Sequence, residues 1–222
     1  MGGPTPSSLI FDFDFTLADS SAGIIECVTH ALAELGFRAP DPERIRETIG
    51  LSRDASLEHL VGGLDAGRAA RFFRAFVERA DKVMVQQTFI YGFVPALVAE
   101  LRRRGHRLGI VSTKFRYRIE SILAREGLAD SFDAIVGGED TALHKPDPAG
   151  LLLALERLRG AASDALYVGD HPVDGQAARA AALPFVATLS GVTPREAFAA
   201  LAPIAIVSDA SEVPAVLERL GS

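Results

Sequence analysis

The chain has 222 residues, 48% of them apolar, and its 23 basic and 29 acidic side chains leave a formal net charge of −6. That length suits one large domain or a domain carrying an insertion, and the acidic balance argues against nonspecific nucleic-acid binding, which needs a basic footprint. The single cysteine, Cys27, excludes an internal disulfide and reads as a packed thiol, and no apolar run is long enough to span a bilayer.

The first residues, "MGGPTPSS", are expected to form a disordered lead-in. They lack a signal-peptide pattern, and Pro6 stands where a myristoylation signal wants Ser or Thr. A cytoplasmic location is expected, with neither nucleic acid nor membrane as partner, and a monomer or homodimer.

The next stretch, "LIFDFDFTLADS" at 9–20, sets strand formers against two early aspartates, Asp12 and Asp14. A buried carboxylate is costly unless something pairs with it. Either these two find partners, or the strand ends there and they point into a site. From about 19 to 91 no convincing strand follows. Ile24, Ile25, Val28, Leu32 and Leu35 keep helical spacing, as do Phe72, Phe73, Phe76, Val77, Ala80 and Val83. Gly36 should stop the first of these helices, and Asp19–Ser20 should cap its start. "GLSRDASLEHL" places Ser52 as an N-cap and Arg53 at a helix start.

Beyond residue 92, short apolar runs alternate with helical patterns. The runs are "RLGIV" (107–111), "FDAIV" (132–136), "ALYV" (165–168), "FVATL" (185–189) and "IAIV" (204–207); the helical patterns fall at 94–103, 117–126, 148–157, 173–182 and 213–220. Such alternation predicts an α/β fold with a parallel sheet covered on both faces. The basic run at 102–104 reads as a solvated helix C-terminus, and "LRGAAS" around Gly160 as a surface loop. The predicted organisation is a Rossmann-like core, residues 1–18 and 92–222, interrupted by a helical segment over residues 19–91.

In open parallel sheets, ligands bind beyond the carboxyl ends of the strands. Asp12, Ser112, Lys145 in "HKPDP" and Asp170 in "YVGDHPVD" all fall at or just after strand ends, with Asp14 and Asp174 close by. Several carboxylates in one small site need compensation. An oxygen-only donor set without metal-spaced histidines points to a hard divalent ion, and few carboxylates plus waters suit Mg2+. A carboxylate, Mg2+, a lysine and a hydroxyl together fit phosphoryl transfer: the carboxylate is ionised at neutral pH and attacks without a base, and the cations offset charge on the phosphoryl group. A second carboxylate two residues on can protonate the leaving oxygen and then deprotonate the water.

These residues carry a resemblance. "DFDFTLADS" resembles the first motif of the haloacid dehalogenase-like superfamily, usually Asp-x-Asp-Gly-Thr-Leu. Ser112 in "IVSTK", Lys145 in "HKPDP", and Asp170 with Asp174 in "GDHPVD" resemble the second, third and fourth motifs, in order. Within the superfamily, "RLGIVSTKF", "FDAIVGGED", "HKPDPAGLLLALE" and "SGVTPREAF" are most similar to the phosphoglycolate phosphatase-like members. The resemblance implies a Rossmann-like core with a helical cap and a Mg2+-dependent phosphatase acting on a small anionic phosphomonoester through an aspartyl-phosphate. In it Asp12 is nucleophile and metal ligand, Asp14 is acid/base and a metal ligand through its carbonyl, Asp170 is a metal ligand, and Asp174 supports the metal. Ser112, Thr113 and Lys145 hold the phosphate, and Arg53 is a candidate contact to a second anion on the substrate. An inorganic pyrophosphatase or a sugar-phosphate mutase of the same superfamily stays open. A dehalogenase is disfavoured by Asp14 and Asp170, and a binding module by the filled motif positions. Lys114 is a rival to Lys145, Asp174 is also a plausible helix cap, and His171 reads as a loop residue. Phe15 departs from the family's usual Gly, which leaves the carboxylates untouched but alters the shape beside Asp14.

Overall fold

The computed structural model describes residues 5–221. The chain divides into a sheet unit, Met1–Ala18 with Ile90–Ser222, and a helical unit, Asp19–Phe89.

The chain order is β1 (Ser8–Phe11), β2 (Ala18–Asp19), α1 (Ser21–Glu34), α2 (Pro42–Arg46), α3 (Arg53–Val61), α4 (Ala66–Val83), β3 (Phe89–Ile90), α5 (Val94–Arg103), β4 (Arg107–Val111) and α6 (Arg116–Arg125). It continues with β5 (Ala134–Val136), α7 (Ala149–Arg157), β6 (Ala165–Gly169), α8 (Pro172–Ala180), β7 (Phe185–Thr188), β8 (Ala205–Val207) and α9 (Val213–Gly221). Six strands form one parallel sheet in the order β5-β4-β1-β6-β7-β8. The chain leaves β1 toward β4 and β5, then returns to β6 on the other side of β1. That reversal makes the carboxyl end of β1 a topological switch point, where open α/β sheets bind ligands.

Both faces of the sheet are covered. Ile10, Val111, Val136 and Tyr167 pack with Leu151, Ala154 and Leu155 of α7 and Ala177 and Ala178 of α8. Alternation sends Leu9, Phe11, Leu108, Ile110, Leu166 and Val168 to the opposite face, where they are also buried. This double burial is why the strands read as continuous apolar runs.

In the helical unit α1 lies along α4. Val28, Ala31 and Leu32 share a core with Ile45, Leu57, Leu60 and Phe72. Phe72 meets Phe73 edge-on at 5.2 Å and stacks with Phe76 at 6.3 Å. Cys27 is buried beside Ala80 and Met84. Gly36, at φ +78°, follows the end of α1, in a backbone region where glycine carries no Cβ penalty.

Two expectations need correction, and two others hold with added detail. Asp19–Ser20 does cap α1, through Asp19: its Oδ1 accepts the Ser21 N–H at 2.8 Å, while Ser20 Oγ pairs with Thr88 Oγ1 at 3.0 Å. The region from 19 to 91 is not free of strand, because β2 and β3 pair as a two-residue ribbon. Ser7 and Ser8 do not belong to a disordered lead-in: the Ser7 N–H donates to Asp164 Oδ1 at 2.8 Å and Ser8 begins β1; residues 1–4 lie outside the described residues. The stretch around Gly160 is a surface loop as expected, ending in a short 3-10 turn at Ala162–Asp164. The arginines at 102–104 do close a helix, pairing with Asp133, Glu100 and Glu218.

Candidate active site

Asp12 is the first residue past β1. Its N–H still donates to Val168 O at 2.8 Å, so the ladder holds its backbone while its side chain leaves the sheet. Oδ1 accepts the Phe13 N–H at 2.7 Å, and Oδ2 lies 2.9 Å from Lys145 Nζ. Lys145 Nζ also lies 2.6 Å from Asp174 Oδ1 and 3.3 Å from the Tyr167 hydroxyl. Tyr167 donates to the same Asp174 oxygen at 3.0 Å, and Asp174 Oδ2 accepts the His171 N–H at 3.0 Å. Asp174 therefore caps α8 and anchors Lys145 at once, with both oxygens engaged. Gly169 makes room for it, since a Cβ there would stand 2.5 Å from Asp174 Oδ2. Asp170 follows β6, and its Oδ1 accepts the Thr16 hydroxyl at 3.0 Å.

Asp14 Oδ1 lies 3.3 Å from Lys114 Nζ, both side chains buried, and it is a buried oxygen without a hydrogen bond. Ser112 follows β4, its Oγ accepting the Lys114 N–H at 3.2 Å. Ser112, half-buried Thr113 and Lys145 line a cleft with Gly137, Thr141 and His144. The structure thus gathers Asp12, Asp14, Ser112, Thr113, Lys145, Asp170 and Asp174 at one edge of the sheet. Arg53 belongs to the helical unit, where it is exposed and stands 5.1 Å above the Phe73 ring.

The chain also places here Tyr167, which the sequence did not single out, and Lys114, which the sequence offered only as a rival to Lys145. Lys114 is buried, as is the lysine it rivals, and Tyr167 joins Lys145 to Asp174. Arg118, buried on α6, stacks on Phe115 and Tyr117. Phe15 sits at φ +59°, the left-handed region that explains why Gly suits this turn. Here a buried ring offsets the cost of about 1–2 kcal/mol that a side chain incurs there.

The electrostatics are those of a crowded acid cluster. One oxygen each from Asp12, Asp170 and Asp174 lies within 4.8 Å of the others. Burial pushes Asp12 up to about 7, against the pull of Lys145 and with repulsion from Asp174 and Asp14. Burial, then repulsion from Asp174 and Asp12, holds Asp170 well above the ordinary carboxylate range. Burial opposes the charge on Lys145, but Asp12 and Asp174 together raise it. Were all four buried carboxylates ionised, Lys114 and Lys145 would leave two negative charges uncompensated, and that crowding is what raises Asp12 and Asp170 beyond the effect of burial. A hard divalent cation suits that excess and the all-oxygen donors. Asp12, Asp170 and Asp174 each keep an oxygen lone pair to give, Asp174 the fewest, since it already accepts three hydrogen bonds.

These features define an open parallel α/β sheet protein with a buried acid cluster at its ligand-binding edge. The sequence model of the family described as "Haloacid dehalogenase-like hydrolase" matches residues 9–188, and the chain belongs to that family. It is 32% identical over 186 residues to a phosphoglycolate phosphatase of Xanthomonas campestris, covering 84% of each chain. It is 32% identical over 213 residues to one from Rhodospirillum rubrum, covering 92% of this chain and 88% of that one. A crystal structure of a haloacid dehalogenase-like protein from Bacteroides fragilis superposes with a TM-score of 0.90 at 38% identity, covering 94% of this chain and 99% of that one.

Proposed function

We propose that the chain hydrolyses a small anionic phosphomonoester, phosphoglycolate foremost, through a phosphoryl group carried on Asp12. The observation that carries this reading is the convergence of Asp12, Asp14, Ser112, Lys145 and Asp170 at the end of β1, buried and paired as described. The names of the relatives supply the substrate class.

In the first step a carboxylate oxygen of Asp12 forms a bond to phosphorus as the ester P–O bond breaks. Asp14 gives its proton to the departing oxygen. In the second step water attacks the phosphorus of the aspartyl-phosphate, Asp14 takes the water's proton, and Asp12 leaves as a carboxylate. Ser112 and Thr113 donate hydrogen bonds to phosphoryl oxygens, and Lys145, fixed by Asp174 and Tyr167, offsets their charge. Asp12, Asp170 and the Asp14 carbonyl would hold Mg2+, which supplies charge neutralisation when bound. Residues 19–91 are proposed as the substrate-selecting cap, with Arg53 as its candidate contact; Arg53→Ala should then lower kcat/KM for a substrate carrying a second anionic group more than for a simple aryl phosphate.

The test is a panel of small phosphoesters and pyrophosphate, assayed to kcat/KM with Mg2+, after exhaustive chelation, and with Ca2+ in place of Mg2+. Phosphoglycolate should rank first, chelation should abolish turnover, and Ca2+ should inhibit because its longer, more numerous bonds spoil the geometry. Full activity after chelation, or preference for pyrophosphate, would refute the proposal.

A further inference from the structure

The sequence holds three lysines, Lys82, Lys114 and Lys145. Two of them, Lys114 and Lys145, are buried, both at the edge where the acids converge. Lys145 has a full set of partners in Asp12, Asp174 and Tyr167. Lys114 is different. Its one ion-pair partner among the described residues is Asp14, at 3.3 Å, and Asp14 Oδ1 makes no hydrogen bond. A buried ammonium held by a single, poorly aligned contact has donors to spare, and burying such a group is costly unless a further partner arrives.

The backbone around Lys114 is firmly held. Its N–H donates to Ser112 Oγ, and its carbonyl accepts the Gly138 N–H at 3.0 Å. Gly138 permits that approach, since a Cβ there would stand 2.3 Å from Thr113 O. The ammonium is thus presented from a fixed loop two residues beyond the phosphate-binding hydroxyl.

We propose that Lys114 is a specificity-determining residue that binds a carboxylate on the leaving group of the substrate. The inference rests on the phosphomonoester reading above, which puts the leaving oxygen next to Asp14. A group touching Asp14 then lies beside whatever is bonded to that oxygen. In a phosphoglycolate-like ester the carboxylate carbon is two bonds from it. Lys114 is the buried cation in contact with the proton donor, and a carboxylate there supplies the aligned partner that Asp14 does not. Lys145 reads the phosphoryl group that all substrates share; Lys114 reads what distinguishes them.

Calorimetric titration in the presence of Mg2+ tests this without turnover. One probe is 3-phosphonopropionate, in which a methylene replaces the ester oxygen of phosphoglycolate. The other is propylphosphonate, the same chain ending in a methyl group. The wild-type chain should bind the carboxylated probe about 100-fold more tightly, the range of a buried charge pair. Lys114→Met should collapse that preference below about threefold, and Lys114→Arg, which keeps the charge, should restore most of it. Preference retained in Lys114→Met would overturn the proposal and leave Lys114 as a partner of Asp14 alone. A wild-type chain with no preference would overturn it as well. If the wild type hydrolyses no phosphomonoester while the Lys114-dependent preference stands, the proposed reaction fails and the carboxylate site survives.

Discussion

The two units spend their interiors differently. The sheet unit buries Asp12, Asp14, Lys114, Arg118, Lys145, Asp170 and Asp174, whereas the buried polar residues described in the helical unit are the neutral Ser20, Ser21, Thr48 and Thr88. The helical unit is held by aliphatic and aromatic packing, with its hydroxyls satisfied locally, as in the Ser20–Thr88 pair. Replacing a buried ion pair by apolar side chains is often neutral or stabilising. Charges concentrated at one sheet edge are therefore poorly explained by stability and well explained by chemistry.

Removing a charge from the edge should cost activity far beyond any cost in folding. Asp12→Asn keeps the shape and loses the nucleophile, so kcat should fall by about 10^4-fold or more while circular dichroism and the melting transition persist. Residual activity within tenfold of wild type would break the contrast. In the helical unit the expectation reverses. Phe72→Ala removes a ring packed against Phe73 and Phe76 and should cost about 3–5 kcal/mol of stability. That loss should be the same at pH 5 and pH 8, because the buried polar residues described in the helical unit, Ser20, Ser21, Thr48 and Thr88, do not titrate in that range.

The sheet unit should instead show a pH slope. Asp12 is raised to about 7 and Asp170 is raised well above its ordinary value. With divalent ions chelated, the folded chain then holds protons that the unfolded chain releases. Its stability should fall as pH rises from about 4 through 7, and saturating Mg2+ should flatten the slope. Denaturant unfolding across that range, with and without Mg2+, reads both effects; a stability that rises through the window in the chelated protein would contradict it. The smallest effect expected is at the start of α1. Asp19→Ala removes the carboxylate that accepts the Ser21 N–H and should cost about 1 kcal/mol, whereas Ser20 does not cap.

The parallel sheet was legible because each of its strands is a short, mostly apolar run set between helical patterns, as burial on both faces requires. The site was legible for the same reason: a polar or charged residue at the end of such a run, as at Asp12, Ser112 and Asp170, stands out against it. What escaped has physical causes too. β2 and β3 are two residues each, too short to show a period. Asp19 and Ser20 are both good caps, and only the backbone turn decides between them. Lys114 and Tyr167 carry no sequence sign of burial, since a lysine two residues past a strand is usually solvated and a strand tyrosine usually packs. Their roles come from tertiary neighbours, Asp14 in one case and Asp174 with Lys145 in the other.

The central claim is that Asp12 carries the phosphoryl group. Wild-type protein turning over phosphoglycolate with Mg2+ should be quenched in denaturant and reduced with borohydride, which converts an acyl phosphate to the alcohol. Peptide mass spectrometry should then find homoserine at position 12, dependent on substrate and on Mg2+, and no such conversion at Asp14, Asp170 or Asp174. An unmodified Asp12 during steady turnover, or the mark on another aspartate, would contradict the account.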